Sequence, residues 1–122
     1  MKVGVLIELF KDTNIDERFA ELRSMGMESC QLVCWDREII RDDSVAEAVN
    51  SAVEKHGVHI TAFWCGWEGR RVWDFYEGQL TLGLVPTDYR VERVKMLMEG
   101  VDFAKKIHAV DFATHVGYMP EN

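Results

Sequence analysis

Residues 110–122 have the sequence VDFATHVGYMPEN, and this segment indicates the fold of the whole chain. Its apolar start is typical of a short buried strand, and the loop that follows contains His115, Gly117 and Pro120. A strand that leads into such a loop is typical of one unit of an alternating β/α protein. The preceding chain is therefore expected to contain further units of the same kind.

Three strand-and-helix units precede this segment. The predicted strands span residues 2–10, 29–35 and 58–64. The predicted helices span residues 14–25, 44–56 and, after a cap at Thr87 or Asp88, the stretch to Ile107 or His108. The order β-α-β-α-β-α-β favours right-handed crossovers and a parallel sheet covered by helices.

Helix boundaries and faces follow from local signals. Asn14 with Glu17, and Ser44 with Glu47, form two capping-box patterns. The apolar face predicted for the last helix consists of Val91, Val94, Leu97, Val101, Ala104 and Ile107 or His108. Residues 36–43 are predicted to be a loop. Residues 65–88 form a longer loop without obvious structure, and loops of that length are usually functional.

Composition restricts the class of protein. The 122 residues are expected to form one domain, and the net charge of −7 argues against coating nucleic acid or binding a membrane through basic residues. The N-terminal apolar run is too short for a signal peptide or a membrane span. Cys30, Cys34 and Cys65 form no disulfide pattern, so we expect reduced, buried thiols and a cytoplasmic location.

Candidate binding residues lie at the carboxyl ends of the strands, where parallel β/α folds place their sites. We predict Glu8, Trp35, Trp67 and His115 as substrate-binding residues. Tryptophan beside polar groups suits sugars, which have an apolar face and polar edges. Each residue also has a structural interpretation: a core histidine, a paired glutamate or packing tryptophans.

Other candidates are weaker. Arg70 and Arg71 could hold a phosphate or form a solvated pair. The motifs GxGxxG, GxxxxGK[ST], GxSxG and HExxH are absent from the sequence. No sequence motif therefore supports a dinucleotide-binding protein, a nucleoside triphosphatase, a serine hydrolase or a zincin.

Several stretches resemble the xylose-isomerase-like TIM barrels, the sugar phosphate isomerases and epimerases. They are FAELRSMGMESCQL at residues 19–32, LGLVP at 82–86 followed by Tyr89 and Arg90, and the segment from Phe103 through His115-Val116-Gly117 to Pro120. The resemblance implies a (β/α)8 barrel of about 250–300 residues, of which this chain would be the N-terminal half with four β/α units. It also implies a divalent metal (Mn, Mg, Co or Zn) and two glutamates that move a proton next to a carbonyl.

The resemblance places the metal ligands and catalytic glutamates in strands five to eight of such a barrel. We therefore predict no catalytic residue and no metal site in this chain. The expected partners are a sugar or sugar phosphate and further copies of the chain, with no nucleic acid and no membrane. Gln31 stands where many members have glutamate, which weakens a charged role there.

Two further functions stay open. A half barrel has two unpaired sheet edges, so a non-catalytic, self-associating protein is the alternative. An AP-endonuclease-like metal nuclease is the third. That branch has a histidine after the third strand, where this sequence has Trp64-Cys65-Gly66-Trp67.

Overall fold

Four parallel strands form one sheet in the computed structural model, which describes residues 3–118. The strands are β1 (Val5–Leu9), β2 (Ser29–Cys34), β3 (His59–Cys65) and β4 (Asp111–Ala113), and their order in the sheet is the order in the chain. All three neighbouring pairs are parallel. The predicted α/β class with four β/α units is confirmed. Residues 119–122, the end of the segment 110–122, lie outside the described residues.

Five helices connect the strands within residues 3–118. They are α1 (Ile15–Ser24), α2 (Arg37–Arg41), α3 (Asp43–His56), α4 (Gly78–Thr81) and α5 (Thr87–Lys106). Asn14 caps α1 as predicted, since its side chain accepts a hydrogen bond from the Glu17 backbone N–H at 3.4 Å. Gly57 ends α3 with a left-handed conformation, φ 63°.

The prediction of a loop at residues 36–43 is wrong, because α2 lies within it. The side chain of Asp36 caps α2 by accepting from the Glu38 N–H at 2.8 Å, and Ile39 and Ile40 are buried. Asp42 then caps α3 by accepting from the Ser44 N–H at 2.9 Å. Ser44 is therefore inside the helix, and two aspartates provide the caps that the sequence pattern assigned to one serine.

The predicted apolar face of α5 is right for Ala104 and Ile107, which are buried, and wrong for Val91 and Val94, which are 65% and 40% exposed. The buried residues of this helix are Arg93, Met96, Gly100, Phe103 and Ala104. Val91 and Met98, by contrast, are each 65% exposed. The helix also begins at Thr87 without a side-chain cap. Its orientation is set by close packing at Gly100, where a Cβ atom would lie 2.4 Å from the Cys65 Sγ.

The sheet has one covered face and one open face. Ile7, Leu9 and Leu32 belong to a core cluster under the helices. On the opposite face, Leu6 is 50% exposed and Trp64 is partly buried. The protein therefore has one hydrophobic core and an apolar surface on the other side of the same sheet.

The cysteines are free and buried, as predicted. Burial raises the pKa of Cys30 and Cys65 to about 12 and that of Cys34 to about 11, so the thiols are protonated and unreactive at neutral pH. No helix within residues 3–118 is long and apolar enough to cross a membrane.

Candidate functional site

The carboxyl ends of the strands lie at one edge of the sheet. Glu8 is in register with Val33, Val33 with Trp64, and Trp64 with Ala113. Because the strands are parallel, the residues that follow them, including Trp35 and His115, also meet at this edge. The prediction that these strand ends are neighbours is confirmed.

Four tryptophans form an aromatic cluster around Trp35. Its ring centroid lies 5.5 Å from that of Trp64, 5.3 Å from that of Trp67 and 6.3 Å from that of Trp73, all in edge-to-face arrangements. Such pairs add to the stabilisation from burial alone. Gly66 permits this packing, since a Cβ atom there would lie 2.0 Å from the Trp35 ring.

His115, two residues after the end of β4, joins the aromatic cluster. Its ring centroid lies 5.0 Å from that of Trp73 and 6.3 Å from that of Trp67. Its Nδ1 accepts a hydrogen bond from the Gly117 N–H at 3.1 Å. In the neutral ring this bond places the hydrogen on Nε2, which is then a donor for a ligand oxygen.

A groove of about 550 Å³ opens beside the cluster. It is lined by Glu8, Leu9, Phe10, Lys11, Trp35, Asp36, Glu38, Glu68 and Arg71. Lys11 forms salt bridges with Asp36 and Glu38. Among the residues that the structure describes, Glu8 and Glu68 form no salt bridge, so their carboxylates are available to accept hydrogen bonds.

Two neighbouring arginines differ in their contacts. Arg70 forms a salt bridge with Glu77. Arg71 instead places its guanidinium carbon 4.6 Å from the centroid of the Trp35 ring. Its Nη1 donates one long hydrogen bond, 3.4 Å, to the Trp67 carbonyl. Both arginines are exposed, as a solvated pair would be, but their contacts differ.

A third arginine, Arg93, is a buried cation that orders the loop between β3 and α5. It is 2% exposed and donates to the carbonyl oxygens of Thr81, Gly83 and Arg70 at 2.7–2.9 Å. Its guanidinium also lies 5.2 Å from the Trp67 ring centroid. Burial lowers the pKa of Arg93. Arg93, a side chain of α5, thus fixes the loop at residues 65–86 through hydrogen bonds to its backbone.

The four predicted substrate-binding residues meet in one region but differ in accessibility. Glu8 and Trp35 line the groove. His115 is partly buried beside Trp73. Trp67 has no exposed surface, so it supports the other rings, and a ligand would reach it only if those rings moved. The substrate-binding roles of these residues stay predictions.

The sequence indicated Arg71 as a possible phosphate ligand but did not predict its contact with Trp35, and it did not predict that Arg93 is buried. Arg71 was visible as a charge on a tryptophan-rich loop, but no local pattern indicates which ring it contacts. Arg93 lies three residues before Met96 and seven before Gly100, which is helical spacing. The buried face of α5 could therefore have been predicted if one arginine had been accepted among its buried residues.

The described residues do not fit a metal centre. Within residues 3–118, no three His, Cys, Asp or Glu side chains are placed to hold a metal ion together. These residues therefore provide no metal-dependent chemistry by themselves. A divalent metal stays an expectation for a complete barrel enzyme.

Together, the four parallel β/α units form half of a TIM-barrel-type fold, with the groove at the carboxyl ends of the strands. The crystal structure of a xylose isomerase domain protein from Planctomyces limnophilus matches 98% of this chain with a TM-score of 0.79 and 23% sequence identity. This chain covers 41% of that protein. At this identity the similarity shows the fold and not the activity. No family model and no curated protein matches the sequence.

Proposed function

We propose that this chain is the substrate-side, N-terminal half of a sugar or sugar phosphate isomerase or epimerase. The observation that supports the proposal most directly is the fold match, combined with a groove that carries Trp35 and Glu8 at the carboxyl ends of the strands. The proposed reaction is proton transfer next to a carbonyl group. The catalytic acid and base would come from those strands of a complete barrel that have no equivalent in this chain.

Two groove residues, Trp35 and Glu8, and the nearby His115 have separate roles in this proposal. The Trp35 ring packs against the apolar face of a sugar, and the Glu8 carboxylate accepts hydrogen bonds from its hydroxyl groups. His115 donates from Nε2 to a ligand oxygen. These interactions bind and orient the sugar without moving a proton, so the 122-residue chain is expected to bind sugar weakly and to leave it unchanged.

Ligand titration and an activity assay test the proposal. Addition of fructose should shift the Trp35 indole signal in proton–nitrogen NMR spectra, and Glu8→Gln should weaken binding several-fold. Tyr76→Ser is the matched control, because Tyr76 is 90% exposed and does not line the groove. Sugar isomerisation by the chain alone, with or without Mn²⁺, Mg²⁺, Co²⁺ or Zn²⁺, would contradict the assignment of catalysis to the other half.

A second candidate function, self-association without catalysis, is favoured by apolar surface at both ends of the sheet. At the β1 edge, Val3 is 65%, Leu6 50% and Phe10 57% exposed. At the β4 edge, Val110, which directly precedes the strand, is 62% exposed. Because β1 and β4 are parallel, a second copy related by a two-fold axis could continue the sheet at each edge.

Sedimentation equilibrium distinguishes this candidate from a monomer. Self-association predicts twice the 14.1 kDa chain mass at high concentration. Val110→Lys should then restore the monomer, whereas Tyr76→Lys should leave the dimer intact. A monomeric mass for the unmodified chain at every concentration argues against self-association.

A further inference from the structure

We propose that Arg71 is the anion-recognition residue of the groove, so that the ligand is a sugar carrying a phosphate or carboxylate group. The inference rests on the proposed function and names the substrate class of the same site. It starts from an unusual feature of Arg71: its charge has no carboxylate partner among residues 3–118, although the groove contains four carboxylates.

Each of the other described arginines has a carboxylate partner or donates to at least two backbone carbonyls. Those with a carboxylate partner are Arg18, Arg23, Arg37, Arg41 and Arg70. Arg90 and Arg93 donate to two and three backbone carbonyls, respectively. Arg71 makes only the 3.4 Å bond to the Trp67 carbonyl. Most of its five N–H donors therefore stay open to a ligand.

The position of Arg71 is set by Trp35 and not by an anion. The guanidinium carbon lies over the ring at 4.6 Å from its centroid, a cation–π contact that restricts the Arg71 side chain, which is exposed. A planar guanidinium held in one orientation can bind two oxygens of a phosphate or carboxylate at once. The stack thus pre-organises the donor pair and lowers the entropy lost on binding.

The remaining charges of the groove determine which anions it accepts. Asp36 and Glu38 are engaged by Lys11, whereas Glu8 and Glu68 have no salt bridge among the described residues. Because carboxylates outnumber cations there, a bare anion such as inorganic phosphate is repelled. An anion that also offers hydroxyl groups gains hydrogen bonds to those carboxylates. This combination selects a hydroxylated anion.

Titration of the 122-residue chain with four probes tests the inference. The probes are fructose 6-phosphate, gluconate, fructose and inorganic phosphate, and the readout is the Trp indole region of proton–nitrogen spectra. Fructose 6-phosphate or gluconate should bind at least tenfold more tightly than fructose, and the stronger of the two identifies phosphate or carboxylate as the group. Inorganic phosphate should bind more weakly than either.

Variants at the two adjacent arginines complete the test. Arg71→Gln should bring the anionic sugar to within about twofold of fructose, whereas Arg70→Gln should keep the preference, because Arg70 is paired with Glu77. Unchanged far-UV circular dichroism shows that each variant is folded. Equal losses in both variants, or equal affinity of the unmodified chain for fructose and its anionic analogues, would overturn the inference but leave the proposed function standing. Failure of all four probes to bind would overturn both.

Discussion

Replacing Gly66 by alanine tests whether the aromatic cluster is packed as tightly as its geometry indicates. Gly66 does not have a positive φ, so the backbone accepts alanine without strain. The added Cβ would lie 2.0 Å, 2.3 Å and 2.7 Å from three atoms of the Trp35 ring. Carbon atoms in ordinary contact are about 3.5–4.0 Å apart, so the ring must move by about 1.5 Å.

That movement is opposed by the neighbours of Trp35. The rings of Trp64 and Trp67 lie within 5.5 Å of it, centroid to centroid, and Arg71 covers its face. Overpacking in such a place costs about 1–3 kcal/mol. Gly66→Ala should therefore lower the free energy of unfolding by that amount and weaken ligand binding in the groove.

A double-mutant cycle isolates the clash. Trp35→Ala removes the ring, and its own cost arises from lost packing. In that background Gly66→Ala should cost less than about 0.5 kcal/mol, giving a coupling energy of about 1–3 kcal/mol between the two sites. Urea unfolding followed by circular dichroism measures all four chains. An equal cost of Gly66→Ala with and without the Trp35 ring would refute the reasoning.

Three further predictions concern stability. Hydrogen bonds from Arg37 and Arg41 lower the pKa of Glu99 to about 2. The stability that this carboxylate contributes is complete above the ordinary glutamate pKa of about 4.5 and is lost as the pH falls towards 2. When unfolding is measured as a function of pH, Glu99→Gln should therefore lack an acid-dependent loss on the order of 1 kcal/mol that the unmodified chain shows. Arg93→Met leaves three carbonyl oxygens without their donor and should cost more than about 2 kcal/mol in urea unfolding, with faster amide exchange in residues 65–86; an unchanged exchange rate would contradict its role in ordering the loop. Gly57→Ala should cost about 1 kcal/mol in thermal unfolding, because only the left-handed φ of 63° opposes the side chain and no atom lies within 4 Å of the new Cβ; a loss of several kcal/mol would show that packing is also involved.

Much of the architecture was predictable because its signals are local. The nearly continuous apolar runs of β1 and β2, the cap at Asn14 and the stop at Gly57 each depend on residues within a few positions of one another. Alternation of such signals leads to parallel strands whose carboxyl ends coincide. The location of the candidate site, with Glu8 and His115 at one edge, follows from that alternation alone.

The details of the site depended on contacts between distant parts of the chain. The burial of Arg93 requires the carbonyl groups of Gly83 and Thr81, which lie 10 and 12 residues earlier in the chain. The side of α5 that faces the sheet is selected by the close approach of Gly100 to Cys65. Likewise, Arg71 stacks on Trp35 across 36 positions of sequence, while Arg70 turns to Glu77. Periodicity shows that a residue is apolar or charged, but which partner it meets is decided only when strands and helices pack. The sequence alone therefore determined the β/α order and the edge that carries the site, and the tertiary structure decided which side chains form it.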